Sequence, residues 1–339
     1  LFVKFKAARE MKERIRQLSA VSCQPSDYRY LWMGTFHSIC AKLLRRDAER
    51  LGFTRDFTIY DTTDSKSVIK AICKERGLDE KVYKPSVVLG RISMAKNNLI
   101  SPAQYGMNRE LLQADREARM YEITSVYELY QARLKAANAM DFDDLIFNTV
   151  MLFKKEPEVL ASYQERFRYI HVDEYQDTNN VQFTLIRLLA DRYRNLCVVG
   201  DDDQSIYRFR GANIRNILDF EKFYPDAAVV YLEQNYRSTG NILKAANAVI
   251  RNNRSRKEKA LWTDEDEGAP VRFHRFRTAY EEGEFVAREA ASAKRIKGER
   301  YKDMAVLYRT NAQSRILEDM LMRAGVPYKI VGGTRFFDR

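Results

Sequence analysis

The chain has 339 residues, of which 45% are hydrophobic and 31% are charged, a composition typical of a soluble protein with two or three compact units. No apolar run reaches the ~20 residues that span a bilayer, and the charged N-terminus lacks the apolar core of a signal peptide, so we expect a cytoplasmic location and no membrane partner. The formal net charge of +11 favours a polyanionic partner, while four scattered cysteines and three histidines argue against a zinc site or a disulfide framework.

The first part of the sequence is predicted to be mostly helical. A charged helix is expected at residues 5–18, followed by a short strand at residues 31–36 and an amphipathic helix at residues 38–51. Residues 62–139 show an almost wholly helical pattern, interrupted by one glycine and two prolines, which predicts an inserted helical subdomain. Asp141 should start the next helix, because acidic residues are stabilised at a helix N-terminus.

The second part of the sequence is typical of an α/β protein. Two β-branched runs at residues 169–172 and 196–200 end in acidic residues and are separated by a helical pattern at residues 181–194, as in a parallel sheet. Ligands of such sheets bind at the carboxyl ends of the strands. Two further strands and two further helices are predicted to continue the alternation: residues 228–232, 242–252, 304–308 and 314–324.

Two adjacent carboxylates, Asp173 and Glu174, directly follow the first of these strands. Such a pair is costly unless a cation lies near it. A magnesium ion that bridges nucleotide phosphates would suit one carboxylate, and the other could then take a proton from an attacking water. The alternative is a solvated turn in which an aspartate caps a helix, and the pair taken alone would favour that alternative.

The segment after the second strand combines a neutral amide with alternating aromatic and basic residues. Gln204 could orient a phosphate or a water. Tyr207 and Phe209 alternate with Arg208 and Arg210, an arrangement that holds unpaired bases by stacking and phosphates by charge. The alternative is that both rings are core residues of a following helix, and the spacing leaves the two interpretations open.

A third polar segment, residues 233–238, follows the predicted strand at residues 228–232. Its Tyr236 could stack on a purine, and its Arg237 could neutralise charge that develops on a transferring phosphoryl group. Taken alone, a Tyr-Arg pair is common on protein surfaces and carries little information.

Together these segments resemble motifs of a known family. The sequences VDEYQDTN (172–179), GDDDQSIYRFRGA (200–212) and LEQNYRS (232–238) resemble motifs II, III and IV of superfamily 1 DNA helicases of the UvrD/Rep/PcrA type, in the same order. The resemblance covers most of the chain, since weaker matches are found at several other places: KAAREM (6–11), GTFHS (34–38), DFDDL (141–145), VLYRTN (306–311) and VGG (331–333).

The resemblance implies a role for each residue that matches a motif. Asp173 would hold Mg²⁺, and Glu174 would activate the hydrolytic water. Gln204 would sense the γ-phosphate of ATP, Tyr236 would stack on adenine, and Arg237 would reach the γ-phosphate as an arginine finger. Phe209 stands where the family often has tryptophan. The residues expected to contact single-stranded DNA are Thr35, Phe36, His37, Tyr207, Phe209 and Arg210.

The resemblance also implies an α/β fold with two RecA-like parallel-sheet motor domains, the second incomplete, and an all-helical insertion in the first. We expect the first motor domain at residues 1–61 and 141–226, the insertion at residues 62–140, and part of the second motor domain at residues 227–339. The two motor domains would meet across a nucleotide cleft.

The implied activity is ATP-dependent translocation along single-stranded DNA in the 3′ to 5′ direction, with unwinding at junctions of single-stranded and duplex DNA. Such a motor serves DNA repair or replication, and repair or transcription proteins are the protein partners that this role implies. No G-x-x-x-x-G-K-[ST] phosphate-binding loop occurs in the 339 residues. We therefore expect this polypeptide alone to be inactive and its full-length parent to be active.

Two other functions fit some of the same features. A nucleic-acid-binding or partner-docking module that has lost catalysis would share the basic charge and the aromatic–arginine segment, and the missing phosphate loop favours it. The retention of a full hydrolytic set disfavours it. The motor part of a helicase–nuclease would share every motif but would need a nuclease domain that this sequence does not contain.

Overall fold

The computed structural model describes residues 31–254 and 256–331, together with Glu13, Arg14 and Gln17. The fold is α/β: the described strands pair in parallel and helices occupy most of the chain between them. The chain divides into two compact units, one of residues 1–233 and 250–260 and the other of residues 234–249 and 261–339. Most of the helix predicted at residues 5–18 and the motif match at residues 6–11 lie outside the described residues.

The first unit opens with helix α1 (Phe36–Asp47), which continues into a 3₁₀ turn (Ala48–Leu51). The hydroxyl of Thr35 accepts a hydrogen bond from the Ser38 N–H at 3.2 Å and so caps the helix. The short strand predicted at residues 31–36 is reduced to a single bridge residue at Gly34, since Thr35 is the N-cap and Phe36 is already helical.

The segment predicted as a helical insertion is almost wholly helical, and its helices share a cluster of buried side chains. Its prolines stand at the first position of a helix, where the missing N–H costs nothing. The cluster of buried side chains includes Ile69, Ile92 and Tyr127. The helices are α2 (Thr62–Glu75), α3 (Pro85–Asn97), α4 (Pro102–Met107), α5 (Arg109–Glu117) and α6 (Ile123–Ala136).

Two short strands that the sequence did not predict lie at the two ends of the insertion. Strand β1 (Thr58–Tyr60) pairs in parallel with β2 (Ala139–Asp141), and Thr58 faces Ala139 across the pair. The pair holds the entry and the exit of the insertion side by side. Each strand has only three residues, too few to show an alternating pattern in the sequence.

The predicted parallel pair at the next two apolar runs is confirmed. Strand β3 (Ile170–Val172) pairs with β4 (Leu196–Val198), with Ile170 opposite Leu196. The connecting helix packs on the core of the first unit, as do the two helices that precede β3. These three helices are α7 (Phe142–Lys155), α8 (Pro157–Arg166) and α9 (Asn180–Ala190), and two short helices follow β4: α10 (Arg215–Leu218) and α11 (Phe220–Phe223).

The second unit contains three described helices, α12 (Gly240–Ile250), α13 (Ala279–Lys297) and α14 (Ser314–Arg323). The last two pack together around a small cluster that includes Ala287 and Leu321. Neither α13 nor any other helix in the described part of the chain is both long and apolar enough to cross a membrane.

The strands predicted at residues 228–232 and 304–308 are wrong. Both runs are irregular, and Val230 is 78% exposed and Leu307 95% exposed. Apolar, β-branched composition favours a strand only where a neighbouring strand takes up its N–H and C=O groups. Neither run has such a neighbour among the described residues, whose sheets are the two parallel pairs β1–β2 and β3–β4.

Candidate functional site

The carboxylate pair lies in a tight turn directly after β3. The Asp173 Oδ1 accepts a hydrogen bond from the Glu174 N–H at 2.9 Å, and the Glu174 Oε2 accepts one from the Gln176 Nε2 at 2.6 Å. Glu174 adopts a left-handed backbone conformation with φ 53°, an unfavourable state for a residue with a side chain that is common at active sites. Helix α9 is capped by Asn179, so Asp173 is not the helix cap that the alternative interpretation required.

The segment after β4 packs directly against this turn. The Gln176 Oε1 accepts a hydrogen bond from the Asp201 N–H at 3.0 Å, and the Tyr175 N–H donates to the Val199 carbonyl at 3.0 Å. A Cβ atom on Gly200 would lie 2.6 Å from the Gln176 Oε1 and 3.2 Å from the Tyr175 nitrogen. The glycine is therefore required by the close approach of the two segments that carry the predicted nucleotide residues.

Gln204 is exposed, and its Nε2 donates to the Asp201 Oδ2 at 2.7 Å. The three aspartates at 201–203 form ion pairs with two cations that the sequence analysis missed. Lys259 lies 2.6 Å from Asp201, and Arg256 donates to both oxygens of Asp203 at 2.8 Å. Burial opposes the ionisation of Asp201, but hydrogen bonds from Lys259 and Gln204 outweigh it and lower the pKa of this carboxyl.

The aromatic–arginine segment contains a 3₁₀ turn (Arg208–Arg210) that follows the half-buried Tyr207 and leaves Phe209 exposed. The rings of Tyr207 and Phe209 stack with centroids 6.0 Å apart, and the Arg210 guanidinium lies 5.6 Å from each centroid. Phe209 is 71% exposed, so the alternative that it is a core residue is wrong. An exposed ring beside a guanidinium is a surface on which a base can stack.

The residues around the start of α1 divide into a buried and an accessible group. The Phe36 side chain is 9% exposed and packs in the core of the first unit, which argues against its stacking on a base. Thr35 and His37 are half-buried. The rings of His37 and Phe142 pack edge to face with their centroids 5.8 Å apart, and Phe142 is 50% exposed. The sequence analysis missed Phe142 because an apolar residue in the first turn of a helix usually faces the core.

Tyr236 and Arg237 lie in the second unit, in a turn organised by Asn235. The Asn235 Oδ1 accepts hydrogen bonds from the N–H groups of Arg237 at 3.0 Å and Ser238 at 2.8 Å. Tyr236 is 78% exposed, and its hydroxyl donates to the Gln234 Oε1 at 2.6 Å. Both side chains are thus accessible to a ligand.

Within the described ranges, no cluster of three or more His, Cys, Asp or Glu side chains is placed to hold a metal ion. Asp173 nevertheless fits magnesium, which is usually bound through one or two carboxylates together with substrate phosphates. Its carboxylate is accessible at the carboxyl end of a parallel strand, where ligands of such sheets bind.

Comparison with known proteins matches both parts of the chain. Residues 4–225 match the UvrD/REP helicase N-terminal domain, and residues 230–339 match the UvrD-like helicase C-terminal domain. The chain belongs to the UvrD/Rep helicase family. This confirms the family that the motifs predicted, and with it the RecA-like α/β class of the fold.

Among the relatives of this family member are proteins named ATP-dependent DNA helicase PcrA. The sequence is 51% identical over 337 residues to the protein of that name from Staphylococcus aureus strain Mu50. The aligned region covers 98% of this chain and 44% of the relative. The sequence is 50% identical over 336 residues to the protein of that name from Bacillus subtilis strain 168, with the same shares covered. The chain thus spans less than half the length of the curated relatives it matches.

Proposed function

We propose that the full-length protein containing this chain is an ATP-driven motor that moves along single-stranded DNA. The observation that carries the proposal is the packing of the turn that holds Asp173 and Glu174 against the segment that holds Gln204, with the half-buried ring of Tyr207 and the exposed ring of Phe209 a few residues further along. A hydrolytic carboxylate pair and a base-stacking surface on adjoining segments are what a motor needs to link hydrolysis to movement on DNA.

The hydrolytic roles follow from the chemistry of these side chains. Asp173 would hold Mg²⁺, which when bound neutralises charge on the β- and γ-phosphates of ATP. Glu174 would take the proton of the attacking water, and the hydrogen bond from Gln176 orients its carboxylate. Gln204 would contact the γ-phosphate region through an amide that carries no charge of its own.

Tyr236 and Arg237 would act on the same nucleotide. The exposed ring of Tyr236 offers a face on which adenine can stack. The exposed guanidinium of Arg237 can donate two parallel hydrogen bonds to phosphate oxygens and stabilise charge in the transition state. The sequence match of residues 230–339 to the C-terminal domain of the family supports both roles.

Single-stranded DNA would be held by stacking on Tyr207 and Phe209, with Arg210 pairing with a phosphate. Thr35, His37 and the exposed Phe142 would add contacts near the start of α1, whereas the buried Phe36 would support them from the core. The net charge of +11 favours such binding without sequence preference.

We further propose movement in the 3′ to 5′ direction, action at junctions of single-stranded and duplex DNA, and a role in cytoplasmic DNA repair or replication alongside repair or transcription proteins. The proposed domains are the first motor domain at residues 1–61 and 141–226, the insertion at residues 62–140, and part of the second motor domain at residues 227–339. The matched family domains, residues 4–225 and 230–339, support a boundary near residue 227.

The test is the steady-state ATPase rate of the full-length protein with and without single-stranded DNA. We expect DNA to stimulate hydrolysis, and Glu174→Gln to lower the stimulated rate by about 10²- to 10⁴-fold while ATP still binds. Undiminished turnover in that variant would exclude Glu174 as the base. Absence of hydrolysis in the wild-type protein, with DNA binding retained, would favour the catalytically dead binding module instead.

The isolated 339 residues provide a second comparison. Because they contain no G-x-x-x-x-G-K-[ST] loop to clamp the β- and γ-phosphates, we expect them to bind single-stranded DNA without hydrolysing ATP. ATP turnover by these residues alone would contradict this part of the proposal.

A further inference from the structure

Two amide–amide pairs join the end of α3 in the helical insertion to the start of α9. The Asn97 Oδ1 accepts a hydrogen bond from the Asn179 Nδ2 at 2.6 Å, and the Asn98 Oδ1 accepts one from the Asn180 Nδ2 at 2.7 Å. Helix α9 begins directly after the segment that carries Asp173 and Glu174. The insertion is thus bonded to that segment by side chains alone, across 82 residues of sequence.

Each pair continues to a further element. The Asn97 Nδ2 donates to the Asp143 Oδ1 at 3.2 Å, which reaches the first turn of α7. The Asn213 Nδ2 donates to the Asn180 Oδ1 at 2.9 Å, which reaches the segment that follows Tyr207–Arg210. Asn97 and Asn180 therefore act as donor and acceptor at once, a combination that a carboxamide provides and a carboxylate does not.

The segment after Tyr207 and Phe209 is fixed to the same place by its backbone. The Asn213 N–H donates to the Thr178 carbonyl at 2.9 Å, and the Asn216 Nδ2 donates to the same carbonyl at 3.0 Å. Asn216 is 4% exposed and Thr178 is 2% exposed, so water competes little for these bonds. The network hence joins the insertion, the carboxylate turn and the aromatic–arginine segment.

Helix capping does not account for this use of asparagine. Asn179 caps α9 with its Oδ1, which accepts a hydrogen bond from the Gln182 N–H at 3.0 Å. Aspartate or serine would cap as well, since only an oxygen is needed. What asparagine adds is the Nδ2 that donates to Asn97, so the choice of residue at this position serves the contact with the insertion.

We propose that Asn97 and Asn98 are positioning residues through which the helical insertion sets the carboxylate turn relative to the aromatic–arginine segment. The proposal rests on the proposed function: in a motor, this contact makes the stimulation of hydrolysis by DNA depend on the insertion. Neither asparagine touches the nucleotide or the reacting water; they act through Asn179 and Asn180.

A reversal of hydrogen-bond polarity tests the proposal. Asn97→Asp removes the donor to Asp143 and to the Ser93 carbonyl and sets two carboxylates against each other, while the acceptor for Asn179 remains. The double variant Asn97→Asp/Asp143→Asn restores the bond between positions 97 and 143 with donor and acceptor exchanged and returns the net charge to that of the wild type, while the bond to the Ser93 carbonyl stays lost. The matched control is Asn108→Asp, which makes the same change in the insertion at a helix cap that needs only an oxygen.

In the full-length protein we expect Asn97→Asp to lower the DNA-stimulated ATPase rate by about tenfold, with the rate without DNA within about twofold of wild type. The double variant should recover most of the stimulation, and Asn108→Asp should retain it. In the 339-residue chain, hydrogen exchange of the backbone amides at residues 175–180 should become about tenfold faster in Asn97→Asp only.

Equal loss of the basal and the stimulated rates, or full stimulation in Asn97→Asp, would overturn the proposal, as would a double variant no better than the single one. If Asn97→Asp does not fold, Asn213→Asp at the other end of the network replaces it, with the same expectation of reduced stimulation. A wild-type protein without DNA-stimulated ATPase refutes the proposed function, whereas unchanged exchange at residues 175–180 refutes the positioning role itself.

Discussion

Gly200 has room for a hydrogen atom but not for a methyl group. In Gly200→Ala the new Cβ would press on the Gln176 Oε1, 2.6 Å away, and on Ile217. We expect a loss of about 1–3 kcal/mol in the free energy of unfolding, measured by chemical denaturation, together with lower ATPase activity in the full-length protein.

The matched control is Gly90→Ala inside α3, where a Cβ would meet no atom within 4 Å. Because alanine has a higher helix propensity than glycine, this variant should be as stable as the wild type or more stable by about 0.5–1 kcal/mol. Equal stability of the two alanine variants would show that the position of Gly200 accommodates a methyl group.

The stability of the first unit should depend on pH through His37. Burial lowers the pKa of His37 below its ordinary value of 6.5, although the charge of Asp141 opposes the effect. The unfolded chain then binds the proton more readily than the folded one. The contribution of the neutral ring to the free energy of unfolding is therefore complete above pH 6.5 and is lost as the pH falls below that value.

Chemical denaturation of the wild type and of His37→Gln at pH 8 and pH 5.5 measures this contribution to the free energy of unfolding. The two pH values lie about one unit or more above and below the ordinary pKa of histidine. We expect the wild type to lose more stability than the variant on acidification. A loss of equal size in both proteins would mean that His37 does not titrate differently on folding.

At the scale of elements, Lys96 fixes the insertion to the start of α7. Its ammonium is 0% exposed and lies 2.7 Å from Asp141 and 2.8 Å from Asp144. Burial and the charge of Asp141 raise the pKa of Asp144 to about 6 even with the lysine in place. Lys96→Met would leave two buried carboxylates without a cation and should cost about 3–5 kcal/mol in denaturant unfolding.

The control for this change is Lys70→Met, at an exposed position of α2 in the same insertion. It should alter the unfolding free energy by less than about 0.5 kcal/mol. If Lys96→Met proves as stable as this control, the buried ion cluster does not hold the insertion in place.

The contributions of stacking and of charge to DNA binding by the aromatic–arginine segment can be measured separately. In DNA-binding titrations of the chain, Phe209→Ala should weaken binding of a single-stranded oligonucleotide by about 1–3 kcal/mol with no change in its salt dependence. Arg210→Ala should instead reduce the slope of log affinity against log salt by about 0.7 for one phosphate contact.

Phe273→Ala is the control for stacking, since this ring is 89% exposed and lies outside the helicase motifs. It should bind DNA as the wild type does. Equal effects of Phe209→Ala and Phe273→Ala would indicate that exposed rings contribute to binding without a specific site at the 3₁₀ turn.

Periodicity and turn residues were enough to predict most of the helices and the β3–β4 pair, because these are local patterns, although α8 and the long helix α13 were not predicted. The strands predicted at residues 228–232 and 304–308 are wrong because pairing depends on a partner that local sequence does not reveal. The same non-local cause hid β1 and β2, whose partner lies about 80 residues away. Lys259 and Arg256 were missed for this reason too, since their aspartate partners lie more than 50 residues earlier in the chain.

For the whole molecule, the motifs predicted the family, which the matches to both helicase domains confirm. The motifs did not predict correctly which individual side chains are accessible. The motif around Thr35 suggested that Phe36 contacts DNA, whereas the fold buries its ring and leaves Phe142 accessible beside His37. A motif fixes which residues occur together, but only packing decides which of them face solvent.

The central claim is that ATP hydrolysis drives movement along single-stranded DNA, and displacement of streptavidin from biotinylated oligonucleotides tests it most directly. With the full-length protein and ATP, we predict rapid displacement from the 5′ end, little from the 3′ end, and none with Glu174→Gln. ATP hydrolysis without displacement from either end, or displacement from the 3′ end alone, would contradict the account.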